Sequence, residues 1–449
     1  MTRLSICLAL AAVLAGTLVA GVSLRAHEGH STPSAPPSPP AAEARELWGP
    51  RLTPDRICLT WTGDPSRSQA VTWRTSTVVG QGYAELSLAG SGPAFTAGAL
   101  RVPASTKKLE TNLGPCHYHR VEWDHLRPAT KYAYRVGDGV NWSEWFQFTT
   151  AGQADEPFEF VYFGDAQNDI KSLWSRVVRE AQADAPRARF MLHAGDLVNN
   201  GGDDALWGEW FSAGGWLNGM IPTVAAAGNH EYVTGSDGKN GLTSHWAAQF
   251  GFPRNGPPGL ETSVYYFDYH NARIVVLNSI EKVEEQAVWL DRVLHENPKP
   301  WSILSFHYPI FSAAPGRDNV DLRKHWKPLI DKHRVDLVLQ GHDHTYARTG
   351  LAVPDNLASG ENVVEHGTVY VVSVSGPKVY KVEPRPFQHR VASGAQLYQI
   401  VSVRGNELTY RAATADGKTY DAFRLVKKPG QFNELIDQIP NVPELRLPE

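Results

Sequence analysis

Residues 335–348 read VDLVLQGHDHTYAR, an apolar run that stops at a glycine and is followed by two histidines on alternate positions. Side chains two positions apart in an extended chain point to the same side. His342 and His344 can therefore face one space, either as two metal ligands or as one ligand and one acid–base group. For this segment alone, a polar loop that happens to contain histidines is an equal alternative.

Four further apolar runs end in the same way. FEFVYFGD and ARFMLHAGD flank the helical pattern SLWSRVVREAQAD, and together they predict a strand–helix–strand unit with parallel strands. IPTVAAAGNH and WSILSFHYP continue the pattern. The carboxyl ends of parallel strands lie at one sheet edge, where open α/β domains bind ligands. The sequence therefore predicts an α/β domain with helices on its sheet and one cluster of polar side chains: Asp165, Gln167, Asp196, Asn199, Asn229, His230, His307, His342 and His344.

The residue types in this cluster are those that bind metal ions. Carboxylate, imidazole and amide groups without a thiolate suit Fe, Mn, Zn or Mg better than soft metals. The set is larger than one tetrahedral site requires and suits two ions that share a bridging carboxylate. Two metal ions about 3.5–4 Å apart can hold both the attacking and the leaving oxygen of a displacement at phosphorus. The alternative is that the Asp and Asn residues only cap helices or form turns.

Residues 51–150 show a different pattern. Runs such as QAVTWRTS, YHRVEWDHL and TKYAYRVGDG are rich in Thr, Val, Tyr and Trp and are separated by turn-forming residues. About seven short strands in ~100 residues predict a β-sandwich. We expect Trp61, Trp73 and Trp123 in its core, with stacking on carbohydrate as the alternative. Strands dominate again between 366 and 426 and are expected to complete a second sheet of the α/β domain, which spans 156–428.

The two ends of the chain read as segments outside these domains. Residues 1–26 contain the apolar stretch LSICLALAAVLAGTLVAGVSL and predict a secretory signal peptide. Export would place the protein in the periplasm or outside the cell; an uncleaved signal that anchors the chain in the membrane is the alternative. Residues 27–50 are rich in Pro and Ala and predict an extended linker, and residues 429–449 predict a loosely held tail.

Beyond the signal peptide the chain contains two cysteines, Cys58 and Cys116. Because disulfides form in exported proteins, these two are predicted to pair within the first domain. The net charge is −4 and the isoelectric point is near 6.5. Such a balance lacks the positive field that binds nucleic acid or an anionic membrane, so neither is expected as the main partner.

The ordered motifs GDAQ, GDLVNN, GNHE, FHYP and GHDHTYAR closely resemble those of the calcineurin-like metallophosphoesterases. The strand-rich segment before them, with HLRPATKYAYRVGDG and FQFTT, is similar to the fibronectin type III-like domain that precedes the catalytic domain of purple acid phosphatases. The resemblance covers residues 51–425. It implies a β-sandwich of fibronectin type III-like fold, followed by an α/β domain in which a two-sheet βαβ sandwich is flanked by helices.

The resemblance also implies a role for each ligand: Asp165 and His344 bind the first metal ion, Asp196 bridges both ions, and Asn229, His307 and His342 bind the second. It places His230 near the leaving group, as a general acid or as a group that stabilises charge in the transition state. A metal-bound hydroxide is the implied nucleophile, because a bound cation lowers the pKa of water.

Two positions depart from the purple enzymes. Their GDxxY motif supplies a tyrosinate ligand to ferric iron, whereas here Asn199 stands in its place and cannot become an anionic ligand. Gln167 stands where other branches of the family have the histidine of GDxH, and we predict that its amide oxygen binds the first metal ion. The centre is therefore predicted to lack a tyrosinate–iron absorption band. Asn199, Tyr346 and Arg348 are predicted to contact substrate, since Arg suits phosphate.

These observations favour a secreted, dinuclear metal-dependent phosphatase that acts on phosphomonoesters of small molecules. A phosphodiesterase or nucleotidase of the same architecture is the first alternative, because substrate choice depends on loops that the fold does not fix. The second alternative is a binding or adhesion protein that has lost activity. That alternative predicts gaps in the ligand set, which is complete apart from the change from Tyr to Asn199.

Overall fold

The computed structural model describes residues 41–235, 238–351, 367–428 and 430–447. The predicted signal peptide and the first part of the predicted linker lie outside the described residues. Within them, no helix is both long enough and apolar enough to cross a bilayer.

The last part of the predicted linker is helical rather than extended. Helix α1 spans Ala41–Trp48, and it begins directly after Pro40. Its Ala, Glu, Arg and Leu residues are good helix formers. The backbone carbonyl of Trp48 accepts a hydrogen bond of 2.8 Å from Arg74, and its ring packs so closely on Gly208 that a Cβ there would lie 2.8 Å from it. The segment is therefore docked on both domains.

The N-terminal domain is a β-sandwich, as the sequence predicts, with eight strands within the described residues. Its two antiparallel sheets have the orders β1-β2-β6-β5 and β4-β3-β7-β8. The strands are β1 Asp55–Thr60, β2 Gln69–Ser76, β3 Tyr83–Leu88, β4 Leu100–Pro103, β5 Ser105–Leu109, β6 Cys116–Trp123, β7 Lys131–Gly137 and β8 Phe146–Thr149. Trp73 and Trp123 are buried in the core between the two sheets, and Trp61 is buried against the α/β domain.

The predicted disulfide does not form. Cys58 and Cys116 are both buried free thiols. Cys58 lies on β1 and Cys116 on β6, and β2 runs between these strands. Two strand spacings of about 4.8 Å already exceed the ~7 Å that a disulfide allows between Cα atoms. The prediction was wrong because cysteine number alone does not report which strands are neighbours.

The α/β domain contains two seven-stranded sheets, with the orders β11-β10-β9-β21-β22-β23-β24 and β14-β15-β16-β17-β19-β18-β20. Strands β9, β10 and β11 are parallel in the first sheet, and β15, β16, β17 and β19 are parallel in the second. The strands are β9 Phe158–Phe163, β10 Met191–His193, β11 Thr223–Ala225, β14 Tyr265–Tyr269, β15 Ala272–Val276, β16 Trp301–Ser305, β17 Leu337–Gln340, β18 Tyr346–Arg348, β19 Val369–Val372, β20 Arg390–Ala392, β21 Leu397–Arg404, β22 Glu407–Thr414, β23 Thr419–Val426 and β24 Glu434–Asp437; β12 Tyr232–Thr234 and β13 Asn240–Leu242 form a separate hairpin.

The two large sheets share one core, and helices cover their outer faces. Along β15, Ile274 and Val276 face the core between the sheets, whereas Val275 faces the helices outside. This alternation is the period-two pattern of a strand that is buried on both sides. The helices are α2 Ser175–Asp184, α3 Asp204–Gly214, α4 Ser244–Gln249, α5 Val283–His295, α6 Val320–His325 and α7 Lys327–Lys332.

The C-terminal strands divide between the sheets instead of completing one. Strands β19 and β20 extend the second sheet, whereas β21 to β24 extend the first. The predicted loose tail, 429–449, includes β24, which pairs with β23. Asp437 of this strand forms an ion pair of 3.0 Å with the buried Arg348, so this part of the tail is held in place.

Candidate metal centre

Five parallel strands bring the predicted ligands to one edge of the α/β domain. Asp165 follows β9 after one glycine, Asp196 follows β10, and Asn229 lies in a short helical turn after β11. His307 follows β16, and the loop after β17 carries His342 and His344. The sequence argument about strand ends therefore describes the actual placement of these side chains.

One group of ligands surrounds the Nε2 atom of His307. This atom lies 3.1 Å from Asp196 Oδ2, 3.2 Å from Asn229 Oδ1 and 3.2 Å from His342 Nδ1. The other ring nitrogen, Nδ1, donates to the carbonyl of Ala194 at 2.8 Å, so it fixes the ring and leaves Nε2 for the site. One N–H cannot serve three partners at once, whereas a cation can be shared by all of these donors.

A second group lies on the other side of Asp196. It contains Asp165 and His344, whose Nε2 atom is 3.4 Å from Asp165 Oδ2. The Nδ1 atom of His344 donates to the carbonyl of Lys378 at 3.0 Å, which again leaves Nε2 for the site. Gln167 is fully buried and its amide lies 3.0 Å from His344 Nε2. Asp165 Oδ2 and Gln167 Oε1 are buried without a hydrogen-bond partner in the described part of the chain.

The donor atoms of the two groups are close enough together for a pair of metal sites. In each, three donor atoms lie within 4.8 Å of one another: Asp196 with His307 and His342, and Asp165 with Asp196 and His344. Asp196 belongs to both, as a bridging carboxylate would. Buried oxygens without partners are costly unless something binds them. The residues therefore fit two cations with oxygen and nitrogen ligands.

Glycines before the ligands make the close approach of the loops feasible. Gly195 has a φ of 93°, which favours glycine, and a Cβ there would lie 2.6 Å from His307 Nδ1. A Cβ on Gly341 would lie 2.3 Å from Asp165 Oδ1, the atom that accepts the backbone N–H of His342 at 2.6 Å. Larger residues at either position would push the ligand loops apart.

The carboxylates and imidazoles of the site shift each other's pKa values. Burial raises the pKa of Asp165 to about 7. Burial also opposes the ionisation of Asp196, but the neighbouring His307 outweighs it and holds the pKa of Asp196 well below its usual range. Burial and then the positive charge of Lys378 lower the pKa of His344 to about 3. His344 therefore presents a neutral imidazole and Asp196 an ionised carboxylate, the forms that bind metals.

Glu231 holds two of the ligand loops together. Its fully buried carboxylate accepts hydrogen bonds from the backbone N–H groups of Asp196 (2.9 Å) and Gly228 (2.8 Å) through one oxygen. The other oxygen accepts those of Leu197 (2.9 Å) and Val198 (3.4 Å). The loops after β10 and β11 are thus fixed to one side chain.

His230 lies at the rim of the cluster. Its backbone N–H donates to Asp196 Oδ1 at 2.9 Å, and its ring Nδ1 donates to the backbone carbonyl of Asn199 at 2.6 Å. Nε2 is the remaining ring nitrogen and lies 3.9 Å from Asp196 Oδ2, with the side chain 28% exposed. Asn199 itself is exposed, and its described contact with the site is made by the backbone carbonyl.

Tyr346 and Arg348 do not fit the predicted role in substrate binding. Both are fully buried, and both bind the carboxylate of Asp421, at 2.6 Å from the tyrosine hydroxyl and 2.6 Å from the arginine Nε. Strand β18 turns these side chains toward β23 of the other sheet. The prediction was wrong because the motif gives their position after the ligands but not the side of the strand they face.

Sequence reasoning missed Lys378 and Tyr380. The ring of Tyr380 lies 4.8 Å from that of His344, and the backbone N–H of Tyr380 donates to the carbonyl of His344 at 3.0 Å. Both residues follow β19, which is parallel to β17. The run VYVVSVSGPK is therefore a further strand end at the same edge, but it carries no typical metal ligand that could mark it in the sequence.

Comparisons with known proteins agree with this architecture. Residues 54–150 match the family described as purple acid phosphatase, N-terminal domain, and residues 158–346 match calcineurin-like phosphoesterase. An uncharacterized protein of Mycobacterium tuberculosis is 28% identical over 63% of this chain and 60% of its own length. Human acid phosphatase type 7 is 27% identical over 67% of this chain and 72% of its own. The purple acid phosphatase structure from yellow lupin seeds superposes with a TM-score of 0.67 at 19% identity, covering 83% of this chain and 74% of that one. The match thus spans less than two thirds of the M. tuberculosis protein.

Proposed function

We propose that this chain, which carries a purple acid phosphatase N-terminal domain followed by a calcineurin-like phosphoesterase domain, is a metal-dependent phosphatase that hydrolyses phosphomonoesters. The observation that carries the proposal is the position of Asp196, which belongs to both groups of metal donors. A shared carboxylate is the feature that distinguishes a dinuclear centre from two separate sites.

The donor set supports a role for each side chain. Asp165, Gln167 and His344 would hold one metal ion, Asn229, His307 and His342 the other, and Asp196 both. When bound, such a pair of ions neutralises the phosphoryl oxygens and makes water nucleophilic near neutral pH. Backbone hydrogen bonds to the second ring nitrogens of His307 and His344 would hold the imidazoles in the orientation that metal binding requires.

His230 would act on the leaving group. Because its Nδ1 donates to a carbonyl, that nitrogen carries the proton in the neutral ring, and Nε2 carries one only in the imidazolium form. The imidazolium could then pass the Nε2 proton to the departing oxygen as the bond to phosphorus breaks. Its partial exposure leaves room for the substrate at this rim.

The presence of Asn199 supports a metal centre without a tyrosinate ligand. No tyrosinate can come from this position, and Gln167 offers a neutral amide at the first site. We therefore propose Fe, Mn, Zn or Mg ions without a tyrosinate–iron absorption band. We also propose that the protein is exported by residues 1–26, which lie outside the described residues.

The first experiment is elemental mass spectrometry on protein purified without chelators or added metals, followed by assays with p-nitrophenyl phosphate and bis(p-nitrophenyl) phosphate. We expect about two metal ions per chain, by the ligand count, and faster hydrolysis of the monoester. Faster hydrolysis of the diester would favour the phosphodiesterase alternative. An Asp196→Ala variant that keeps full metal content and turnover would overturn the shared-ligand proposal. Absence of metal after incubation with Mn, Zn, Fe and Mg salts would favour a binding protein.

A further inference from the structure

A short segment after β19 is fixed to one of the predicted metal ligands. The Nδ1 atom of His344 donates to the carbonyl of Lys378, and the backbone N–H of Tyr380 donates to the carbonyl of His344, both at 3.0 Å. The Tyr380 ring stands 4.8 Å from the imidazole of His344. The backbone of this segment and the Tyr380 ring are therefore held close to the candidate metal centre.

Arg317 approaches the same ring from the loop before α6. Its Nη1 atom donates to the carbonyl of His342 at 2.7 Å, and its guanidinium carbon lies 5.0 Å from the Tyr380 ring centre. Nη1 also forms a long ion pair of 3.6 Å with Asp343 Oδ1, whereas Asp343 Oδ2 accepts hydrogen bonds from Ser312 and Ala313. Within the described residues, Nη2 and Nε of Arg317 have no hydrogen-bond partner, and the side chain is 29% exposed.

Lys378 adds a second positive charge at this ring. Its ammonium group lies 5.6 Å from the Tyr380 ring centre, and among the described residues it has no ion-pair partner. Arg317 and Lys378 thus both place positive charge beside the Tyr380 ring, next to the candidate metal centre, and Lys378 there is not offset by a carboxylate among the described residues. An anion held at this ring would be attracted by both charges, and guanidinium and ammonium groups are the usual protein donors to phosphate.

We infer that Lys378 and Arg317 form a subsite for a second phosphate group, carried by the leaving group of the substrate. The inference rests on the proposed function, because the first phosphate is taken to lie at the metal ligands. The preferred substrates would then be small phosphomonoesters that bear two phosphates. In their hydrolysis the water oxygen joins the phosphorus at the metal centre, the ester P–O bond breaks, and the alcohol that leaves takes up a proton and keeps the second phosphate.

The test compares two non-hydrolysable probes, propylphosphonate and propane-1,3-diphosphonate, by calorimetric titration of the metal-loaded full chain. One added contact between a phosphonate and a cation is expected to make the diphosphonate bind about tenfold more tightly. Lys378→Gln should reduce this ratio to about twofold, and Lys378→Arg should restore it. Lys418→Gln is the matched control, since Lys418 is 81% exposed and pairs with Asp416 on the turn between β22 and β23. It should leave the ratio and the turnover of p-nitrophenyl phosphate unchanged.

Several results would overturn the subsite. One is equal affinity of the native chain for both probes; another is an equal loss of affinity for both in Lys378→Gln, which would place the lysine at the first phosphate instead. The ratio should also fall as salt is raised, because charge pairing is screened. A chain that hydrolyses p-nitrophenyl phosphate but shows no preference refutes the subsite alone. A chain that holds no metal and hydrolyses no ester refutes the proposed function and the subsite with it.

Discussion

Asp196 Oδ2 lies 3.1 Å from His307 Nε2, and both side chains are almost fully buried. In the metal-free chain this contact is an ion pair. Burial disfavours the imidazolium form of His307, but the charges of Asp196 and Asp165 outweigh burial and raise the pKa of His307 to about 9. The proton on Nε2 therefore occupies the place that a metal ion would take, and the two compete for the same atoms.

This competition predicts that metal binding releases protons. At pH 7 the ring of His307 is protonated without metal, so each chain should release about one proton or more when it is loaded with Zn²⁺ or Mn²⁺. At pH 10 the share of the release that comes from His307 should be almost lost, because the ring is then largely neutral, and the total should be lower by about one proton. Calorimetry in buffers of different ionisation enthalpy measures the number directly. A proton release that does not change between pH 7 and pH 10 would contradict this view of the pair.

Glu231 is predicted to act on stability and metal affinity together. In Glu231→Gln the shape is kept, but an NH₂ group faces backbone N–H donors that now bond the carboxylate. Leaving such buried donors unpaired should cost about 2–4 kcal/mol of unfolding free energy, and the metal content should fall. Denaturant unfolding with and without EDTA measures both. The matched control is Glu285→Gln on the exposed side of α5, which is expected to change stability by less than about 1 kcal/mol. Equal effects of the two substitutions would refute the role of Glu231 in holding the loops together.

The sequence was sufficient to place the predicted ligands at one edge of the domain, because their placement depends on chain direction alone. A parallel strand that ends before Gly-Asp must deliver its aspartate to the shared edge, whatever the packing elsewhere. The predicted role of Tyr346 and Arg348 was wrong because it depends on which way β18 faces. Both side chains face their partner Asp421 on a strand that is distant in sequence. The predicted disulfide was wrong because the sequence does not show which strands are neighbours, and β2 separates the two cysteines. Lys378 was missed because its proximity to His344 comes from backbone contacts, which cannot be predicted from the residue type.

His230 is predicted to matter most for substrates with poor leaving groups. Because Nε2 would give its proton to the departing oxygen, His230→Asn should slow the hydrolysis of phenyl phosphate by roughly 10²–10⁴-fold. The loss with p-nitrophenyl phosphate should be smaller, since that leaving group needs little protonation. Equal losses with both esters would instead assign the ring to stabilising charge.

His193 is predicted to limit the stability of the protein in acid. The ring is buried between Phe163 (5.3 Å), Trp210 (5.3 Å) and Trp174, and neither nitrogen has a hydrogen-bond partner within the described residues. Burial alone lowers the pKa of His193 to about 3, whereas an unfolded chain takes up the proton near pH 6.5. Between these values the unfolded state binds more protons, so stability falls as the pH falls.

The expected slope for one such group is about 1.4 kcal/mol per pH unit, and its contribution is fully present above pH 6.5. His193→Leu removes the group, so the unfolding free energy should fall less steeply between pH 6 and pH 4 by about that amount. Denaturant titrations of the chelated protein at several pH values measure the slope, which separates the effect from any change in packing. His295→Gln on the exposed side of α5 should keep the native slope. An unchanged slope in His193→Leu would mean that the buried ring takes up its proton as readily as in the unfolded chain.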